Sequence, residues 1–315
     1  MDLVWFALLG LFFAGYFALD GFDIGAGMLL RRAGRTELER RSVFAAVGPF
    51  FLGNEVWLVA TGGVLFGAFP ALDGSVLNGL YPLITAGLLL WLVRDACVWF
   101  RSRIGTPRWR GWWDTALVLS STAFAVFWGL LVGALLSGLP EHGVVNAARM
   151  IGFYPLLWAV VVTVLFAVHG AAFLMVRAPV VVAERAKAVA RKLRWVAAAL
   201  LVLAVLVGVL SGAVPSAANR VLPVVLLTVA AAGGLLLTGR RPWATFAATA
   251  FAAATPVLLV GIRSAPEILN AAADYGTLKV LGGFAAVTVP LILLVQGWLW
   301  WMHRSPVDRK SPTFF

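Results

Sequence analysis

The sequence predicts an all-α integral membrane protein, a single polytopic transmembrane domain over residues 1–315 with about nine spanning helices. Of the 315 residues, 62% are hydrophobic and only 12% are charged, and the mean hydropathy is +0.94. Soluble domains carry about 25% charged residues, so this composition indicates a chain that is solvated by lipid. Long apolar runs also recur along the whole sequence, separated by short polar or Gly- and Pro-containing segments.

The apolar runs define the predicted helices one by one. A spanning helix needs roughly 20 mostly apolar residues, and charged residues or Gly and Pro clusters mark the boundaries. The first run lacks the basic residues that begin a secretory signal, so we expect it to be retained as a helix. The least distinct boundary, between helices seven and eight, lies at 239–242. The predicted helices cover about 3–30, 43–69, 76–100, 113–137, 150–176, 193–212, 221–238, 243–261 and 278–302.

Basic residues are divided unevenly between the two sides of this topology. The loops after odd-numbered helices and the C-terminal tail hold most of the 25 Lys and Arg residues. Because Lys and Arg collect on cytoplasmic loops, we expect an outside N-terminus and a cytoplasmic C-terminus. The same asymmetry accounts for the net charge of +11, so nucleic acid is not a predicted partner. The few basic residues on the opposite side are Arg149, Arg220, Arg263 and Lys279.

Polar residues inside the predicted helices are the candidates for function, because an ionisable group in a span is costly and usually faces a protein interior or a water-filled path. Asp20 and Asp23 are three residues apart and share one face of helix one. Gly21 lies between the two aspartates and Gly25 follows them. These two glycines form a small-xxx-small pattern that permits close helix contact. The candidates are Asp20, Asp23, Asn54, Glu55, Arg94, Asp95 and His169, with Gln296 and Asn78 as lesser members.

Two interpretations of these charges remain open, and the two roles can coexist. Asp20, Asp23 and Arg94 can form a buried ion pair that fixes helix packing, or they can belong to a proton path. Counting roughly 1.5 Å per residue from the basic loops places them at similar depth, so we predict that Arg94 pairs with one of the two aspartates. Glu55 has no evident cationic partner at its own depth, which favours a functional role.

The chain is not predicted to ligate a metal or a haem. The single Cys97 allows no internal disulfide and belongs to no Cys/His cluster. The three histidines, His142, His169 and His303, are predicted at different depths. They therefore cannot face each other as the two ligands of a bis-histidine haem. We expect His169 to be a hydrogen-bonded packing residue.

Three segments, LDGFDIGAGML, GPFFLGNEVWLVATGGVLFGAFP and RSRIGTPRWRGWWD, resemble subunit II of the cytochrome bd quinol oxidases in order and spacing. The resemblance implies two four-helix bundles plus one peripheral helix, in a bacterial plasma membrane. It implies a heterodimer with subunit I, which carries haem b and haem d and oxidises quinol while dioxygen is reduced to water. Small accessory subunits, lipid and quinone are further partners that the family allows.

The resemblance also assigns residues. Asp23, in the DGFD segment, corresponds to an acidic position of the family, and Asp20 belongs to the same motif. The family has an Asp two residues before the Asn of the GN pair, where this chain has Leu52, and a Gln after that Asn, where this chain has Glu55. In the family, subunit II supports assembly and offers a polar path from the cytoplasm toward the haems. Glu55 can replace the missing carboxylate, although it points about 300° around the helix from Leu52.

The alternative from another functional class is a secondary ion-coupled transporter that uses Asp20, Asp23 and Glu55. Transporters often contain two similar halves and helices that are broken near the midplane. Gly48 and Pro49 offer one such break, but the second half of the sequence contains no matching one. A third interpretation, a purely structural membrane subunit, differs only in that these carboxylates do not titrate.

Overall fold

The computed structural model describes residues 1–140, 143–214, 218–237 and 241–308, and this part of the chain is helical without strands. Nine of its helical segments are long and apolar enough to cross a membrane. The predicted helix number and the all-α class are therefore confirmed for the described residues. The helices are α1 (Asp2–Ala33), α2 (Glu37–Ala68), α3 (Pro70–Gly79), α4 (Tyr81–Phe100), α5 (Pro107–Leu136), α6 (Ala147–Ile151), α7 (Phe153–Arg177), α8 (Val180–Leu210), α9 (Ala218–Leu237), α10 (Pro242–Asn270) and α11 (Tyr275–Met302).

Several predicted boundaries were wrong because hydropathy detects only the apolar part of a helix. The predicted helix 193–212 begins earlier, at Val180, since its basic first turns continue the same helix beyond the apolar segment. The predicted helix 243–261 continues to Asn270. The predicted helix 76–100 is interrupted at Leu80, which separates α3 from α4. The boundary predicted between helices seven and eight falls partly at 238–240, outside the described residues.

Two helices begin earlier than predicted because polar caps extend them into the basic loops. The Thr36 side chain accepts from the backbone N–H of Glu39, and the Glu39 side chain accepts from the Thr36 backbone, so α2 begins with a capping box. At α5, the Thr106 side chain accepts from the backbone N–H of Trp109, and Pro107 occupies the first helical turn. We call the end of the molecule that contains these starts the basic end.

The first helix occupies the centre of the molecule, packed against α2, α5, α7 and α10. Its crossing with α7 is close because Gly25 faces Gly170, and a Cβ on either glycine would overlap the backbone of the other helix. Gly21 lies against the ring of Phe166. The predicted small-residue contact is confirmed, but it faces α7, whereas Asp20 on the same helix faces α4. The glycines and the aspartates thus use separate faces of α1.

The remaining helices surround this centre. α7, α8, α9 and α10 contact one another in a ring, α4 packs on α5, and α11 packs mainly against α2. At the basic end an aromatic cluster joins α1, α2, α7, α10 and α11, and its rings belong to Phe22, Phe50, Phe173, Phe246 and Trp300. Toward the opposite end, α1, α2, α4, α5 and α10 line an apolar crevice of about 1810 Å³.

Candidate functional site

The predicted polar residues of α1, α2 and α4 meet around the guanidinium of Arg94. Arg94 binds the Asp20 carboxylate with both terminal nitrogens, at 2.7 Å (Nη2–Oδ1) and 3.2 Å (Nη1–Oδ2). Both side chains are buried. The predicted ion pair is therefore confirmed, with Asp20 as the partner. We call Asp20, Asp23, Glu55, Arg94 and Asp95 the central cluster.

Glu55 extends this cluster from α2. Its Oε1 lies 3.5 Å from Arg94 Nη1 and accepts a hydrogen bond of 2.9 Å from the Trp91 indole Nε1. The expectation that Glu55 lacks a cationic partner was wrong, because the guanidinium of Arg94 reaches it from the neighbouring helix. Asp95 is half-buried, and its Oδ1 is a buried atom without a hydrogen-bond partner among the described residues.

Asp23 is held by an amide instead of a guanidinium. Its Oδ2 accepts a hydrogen bond of 2.7 Å from Asn54 Nδ2, and the same amide nitrogen donates to the Leu19 carbonyl at 3.2 Å. Gln296 on α11 donates in turn to Asn54 Oδ1 at 3.0 Å. Asp23 and Arg94 also line a cavity of about 30 Å³ that extends toward the basic end, a volume that suits one or two water molecules.

His169 does not join the central cluster. Its Nε2 lies 2.7 Å from the Ala18 carbonyl, its Nδ1 lies 2.9 Å from Thr249 Oγ1, and its ring stacks on Phe246. Because both ring nitrogens are engaged in a fully buried site, His169 does not fit the role of a haem ligand. His142 lies outside the described residues. Asn78, a lesser candidate, is exposed in α3.

The sequence analysis missed a second charged cluster, at the basic end. Asp114 is fully buried and pairs with Arg101 Nε at 2.6 Å and with Arg40 Nε at 2.9 Å. Glu37 pairs with Arg101 at 3.0 Å and with Arg110 at 3.4 Å. The signal was available, since Asp114 is the one acid of the basic segment RSRIGTPRWRGWWD. We call Glu37, Arg40, Arg101, Arg110 and Asp114 the edge cluster.

The edge and central clusters lie near the two sides of one small cavity. The ring of Phe44 lies 4.8 Å from the Arg101 guanidinium, and Phe44 lines the 30 Å³ cavity together with Asp23 and Arg94. Apart from Asp23 and Arg94, the cavity is lined by apolar side chains and glycines, so a small, mainly apolar space separates the two clusters.

Comparison with known proteins decides the family. The family described as "Cytochrome bd terminal oxidase subunit II" matches residues 1–303. The chain belongs to this family. As a subunit II, it is a multi-pass membrane component of a cytochrome bd quinol oxidase complex of the respiratory chain, and such a complex is an oxidoreductase with a subunit I partner. The resemblance predicted from the three sequence segments is thereby confirmed.

Individual relatives match the sequence of this chain over almost their whole lengths. This subunit II is 29% identical to the "Cytochrome bd ubiquinol oxidase subunit 2" of Bacillus subtilis, over 98% of this chain and 97% of the relative. It is 28% identical to the "Cytochrome bd-I ubiquinol oxidase subunit 2" of Escherichia coli K12, over 99% and 96%.

A solved structure shares the fold of this subunit II. A chain from "The structure of bd oxidase from Geobacillus thermodenitrificans" matches with a TM-score of 0.75 at 18% identity. The match covers 96% of this chain and 98% of that chain. The transporter alternative finds no support in any of these comparisons.

Proposed function

We propose that this chain is the non-haem-ligating second subunit of a complex that oxidises quinol and reduces dioxygen to water. It supports assembly and carries cytoplasmic protons toward haem b and haem d, which subunit I holds. The family match supports the oxidase. The observation that supports the proton role is the acid excess of the central cluster, where Arg94 pairs with Asp20 and Glu55 and two further carboxyl groups, those of Asp23 and Asp95, lie nearby.

An acid excess in an apolar region favours bound protons. An isolated carboxylate is costly to bury unless a cation or hydrogen bonds compensate it. Arg94 already forms a two-nitrogen bond with Asp20, so it compensates Glu55 less, across 3.5 Å. The cluster can therefore hold a proton on a carboxyl group and release it again, and Glu55 is the group that we assign to this exchange.

Glu55 takes the place of the family carboxylate that is absent at Leu52. The Leu52 side chain is 53% exposed on α2, whereas Glu55 is turned toward Arg94 and is 8% exposed. A carboxylate at position 52 would thus occupy a different face of α2. The proposed route runs from the basic end through the cavity beside Asp23, along the central cluster to Glu55, with water in the gaps.

The proposed orientation in the membrane follows from the position of the basic end. The basic end faces the cytoplasm, as Lys- and Arg-rich loops do, which places the N-terminus outside and the C-terminus in the cytoplasm of a bacterial inner membrane. α1, α2, α4 and α5 form one four-helix bundle, α7 to α10 form the other, and α11 is the peripheral helix. The ring of contacts among α7, α8, α9 and α10 supports the second bundle.

The oxidase assignment is tested on the purified complex that contains this chain and its partner. We expect optical bands of haem b and haem d, together with oxygen consumption that depends on added quinol. An intact preparation of both subunits without these bands, or without quinol-dependent oxygen consumption, would contradict the assignment.

The proton role is tested by Glu55→Gln, with Glu55→Asp as the matched control. The glutamine keeps the shape and hydrogen bonding of the side chain but cannot titrate, so we expect normal haem content and a large loss of turnover per haem. The aspartate keeps a titrating carboxyl group and should retain more turnover than the glutamine. Normal turnover in a fully assembled Glu55→Gln complex would remove Glu55 from any obligatory proton path.

A further inference from the structure

The peripheral helix α11 carries one buried polar side chain among its described residues. Only Leu278 and Gln296 of this helix are buried, and most of its remaining large side chains are exposed. A buried amide must be hydrogen-bonded, or it costs free energy. Gln296 meets this requirement entirely through α2, by contacts with Asn54 and Trp57.

These hydrogen bonds have a fixed direction. The Trp57 indole can only donate, and its Nε1 lies 3.3 Å from Gln296 Oε1. The oxygen of Gln296 must therefore face Trp57, and its nitrogen donates to Asn54 Oδ1 at 3.0 Å. The Asn54 nitrogen is then left to donate to Asp23 Oδ2 at 2.7 Å. The Trp57 indole, which can only donate, and the Leu19 carbonyl, which can only accept, thus fix the orientation of the two amides from opposite ends.

Packing contacts hold both ends of the hydrogen-bonded series Trp57–Gln296–Asn54. The Trp57 ring packs edge-on against Phe12, with centroids 5.7 Å apart, and the absence of a side chain at Gly15 makes room for it, since a Cβ there would overlap the ring. On the other side, a Cβ at Gly53 would lie 2.6 Å from Leu299 of α11. The Leu299 side chain of α11 thus fills the space beside the glycine that precedes Asn54.

We propose that Trp57 and Gln296 are positioning residues for Asp23, and that α11 thereby belongs to the proton path. They hold the Asn54 amide with its NH₂ toward Asp23, so that the carboxylate always receives a donor on Oδ2. The charged groups near Asp23 are Asp20, Arg94 and Glu55, and none of them is altered by a change at Gln296. This inference rests on the proposed proton role of the central cluster.

The test compares two changes at Gln296 in the complex with its partner subunit. Gln296→Leu removes both hydrogen bonds, so Asn54 Oδ1 loses its donor and only the acceptors Leu19 and Asp23 still hold the amide. Gln296→Glu keeps an acceptor for Trp57 but sets a second oxygen against Asn54 Oδ1, which opposes the amide orientation that donates to Asp23 and to the Leu19 carbonyl. Thr288→Val on the same helix is the matched control, because within the described ranges the Thr288 hydroxyl bonds only to the Phe284 carbonyl of α11.

We expect both Gln296 variants to lower turnover per haem about tenfold, the effect of losing one hydrogen bond to a charged group. The pH profile of turnover should be displaced, while the KM for quinol and the haem content stay at the wild-type values. Thr288→Val should match the wild type in every measurement. Trp57→Phe, which keeps an aromatic ring but loses the donor, should displace the pH profile in the same direction.

Two outcomes would overturn the inference. One is a wild-type pH profile and turnover per haem in Gln296→Leu, Gln296→Glu and Trp57→Phe. The other is a loss of haem content alone, which would make Gln296 only an anchor for α11. Infrared spectra of the complex with isotope-labelled aspartate distinguish a failure of the positioning role from a failure of the proposed proton role. The Asp23 carboxyl signal, identified by its loss in Asp23→Asn, should change in Gln296→Leu even if protons take another route, and an unchanged signal would contradict the positioning role.

Discussion

The central and edge clusters each contain five charged side chains, but their charge balance is opposite. The central cluster has four carboxyl groups and one guanidinium, whereas the edge cluster has three guanidinium groups and two carboxylates. In the edge cluster Asp114 pairs with two arginines, Arg40 and Arg101. In the central cluster a single arginine has to compensate several acids.

Under the proposed proton role, this difference distinguishes a structural cluster from one that exchanges protons. The two guanidinium groups compensate the charge of Asp114. The contribution of the edge cluster is to hold the starts of α2 and α5 against the end of α4, where Glu37, Asp114 and Arg101 lie. An acid excess in an apolar region has the opposite property, because bound protons relieve the uncompensated charge. We therefore expect substitutions in the edge cluster to affect assembly, and neutralisation of Glu55 to affect turnover.

The largest effect is expected from Arg94→Leu, which leaves Asp20 buried without its partner. Removing one partner of a buried ion pair typically costs about 3–5 kcal/mol, so we predict that little assembled complex is recovered. The measurement is the yield of haem-containing complex after solubilisation in detergent. The double variant Asp20→Asn/Arg94→Leu removes both charges and should recover part of the yield. A double variant no better than Arg94→Leu would contradict the ion-pair account.

A smaller effect is expected from Asp114→Asn in the edge cluster. The asparagine keeps one acceptor oxygen for Arg101 but loses the charge that pairs with Arg40, a cost of about 1–3 kcal/mol for a buried charged hydrogen bond. We predict a lower thermal midpoint of the complex, with turnover per haem unchanged. A loss of turnover per haem without a loss of stability would place Asp114 on the proton path and remove the distinction between the two clusters.

The smallest effect is expected from Thr36→Ala, which removes the side-chain cap of α2 next to Glu37. Loss of an N-cap side chain costs about 1 kcal/mol, and the Glu39 carboxylate still accepts from Arg185 at 2.6 Å. We predict a small decrease in thermal midpoint and no change in turnover. A decrease as large as that of Asp114→Asn would mean that the edge cluster depends on the helix start more than on its ion pairs.

The spanning helices could be predicted from sequence because their apolar runs are long and separated by charged loops. The interruption at Leu80 could not, since the apolar residues continue across it, and the basic start of α8 resembles a loop in composition. Within the site, depth counting predicted that Arg94 pairs with Asp20 or Asp23, and the structure shows Asp20 as the partner. It missed the contact of Arg94 with Glu55, because counting along one helix ignores the reach of a long side chain from another.

The sequence also did not predict which side of its helix each polar residue faces. His169 was named with the acids among the polar candidates, but it bonds to Ala18 and Thr249, away from Arg94. Asp114 lay at the start of the predicted helix 113–137 but was not considered as a buried charge, although it is buried within α5. Depth and composition predict which residues lie at one level of the membrane, and only packing decides which of them meet.

Proton uptake during a single turnover tests the central claim most directly. The fully reduced complex is mixed with oxygen in the presence of a pH-indicator dye, and the rates of haem oxidation and proton uptake are followed together in the wild type, Glu55→Gln and Asp114→Asn. We predict that Glu55→Gln slows proton uptake by about a hundredfold, the lower end of what a positioned proton-transfer group contributes, while Asp114→Asn takes up protons at the wild-type rate. Wild-type uptake in an assembled Glu55→Gln complex would show that the acid excess of the central cluster has a structural role alone.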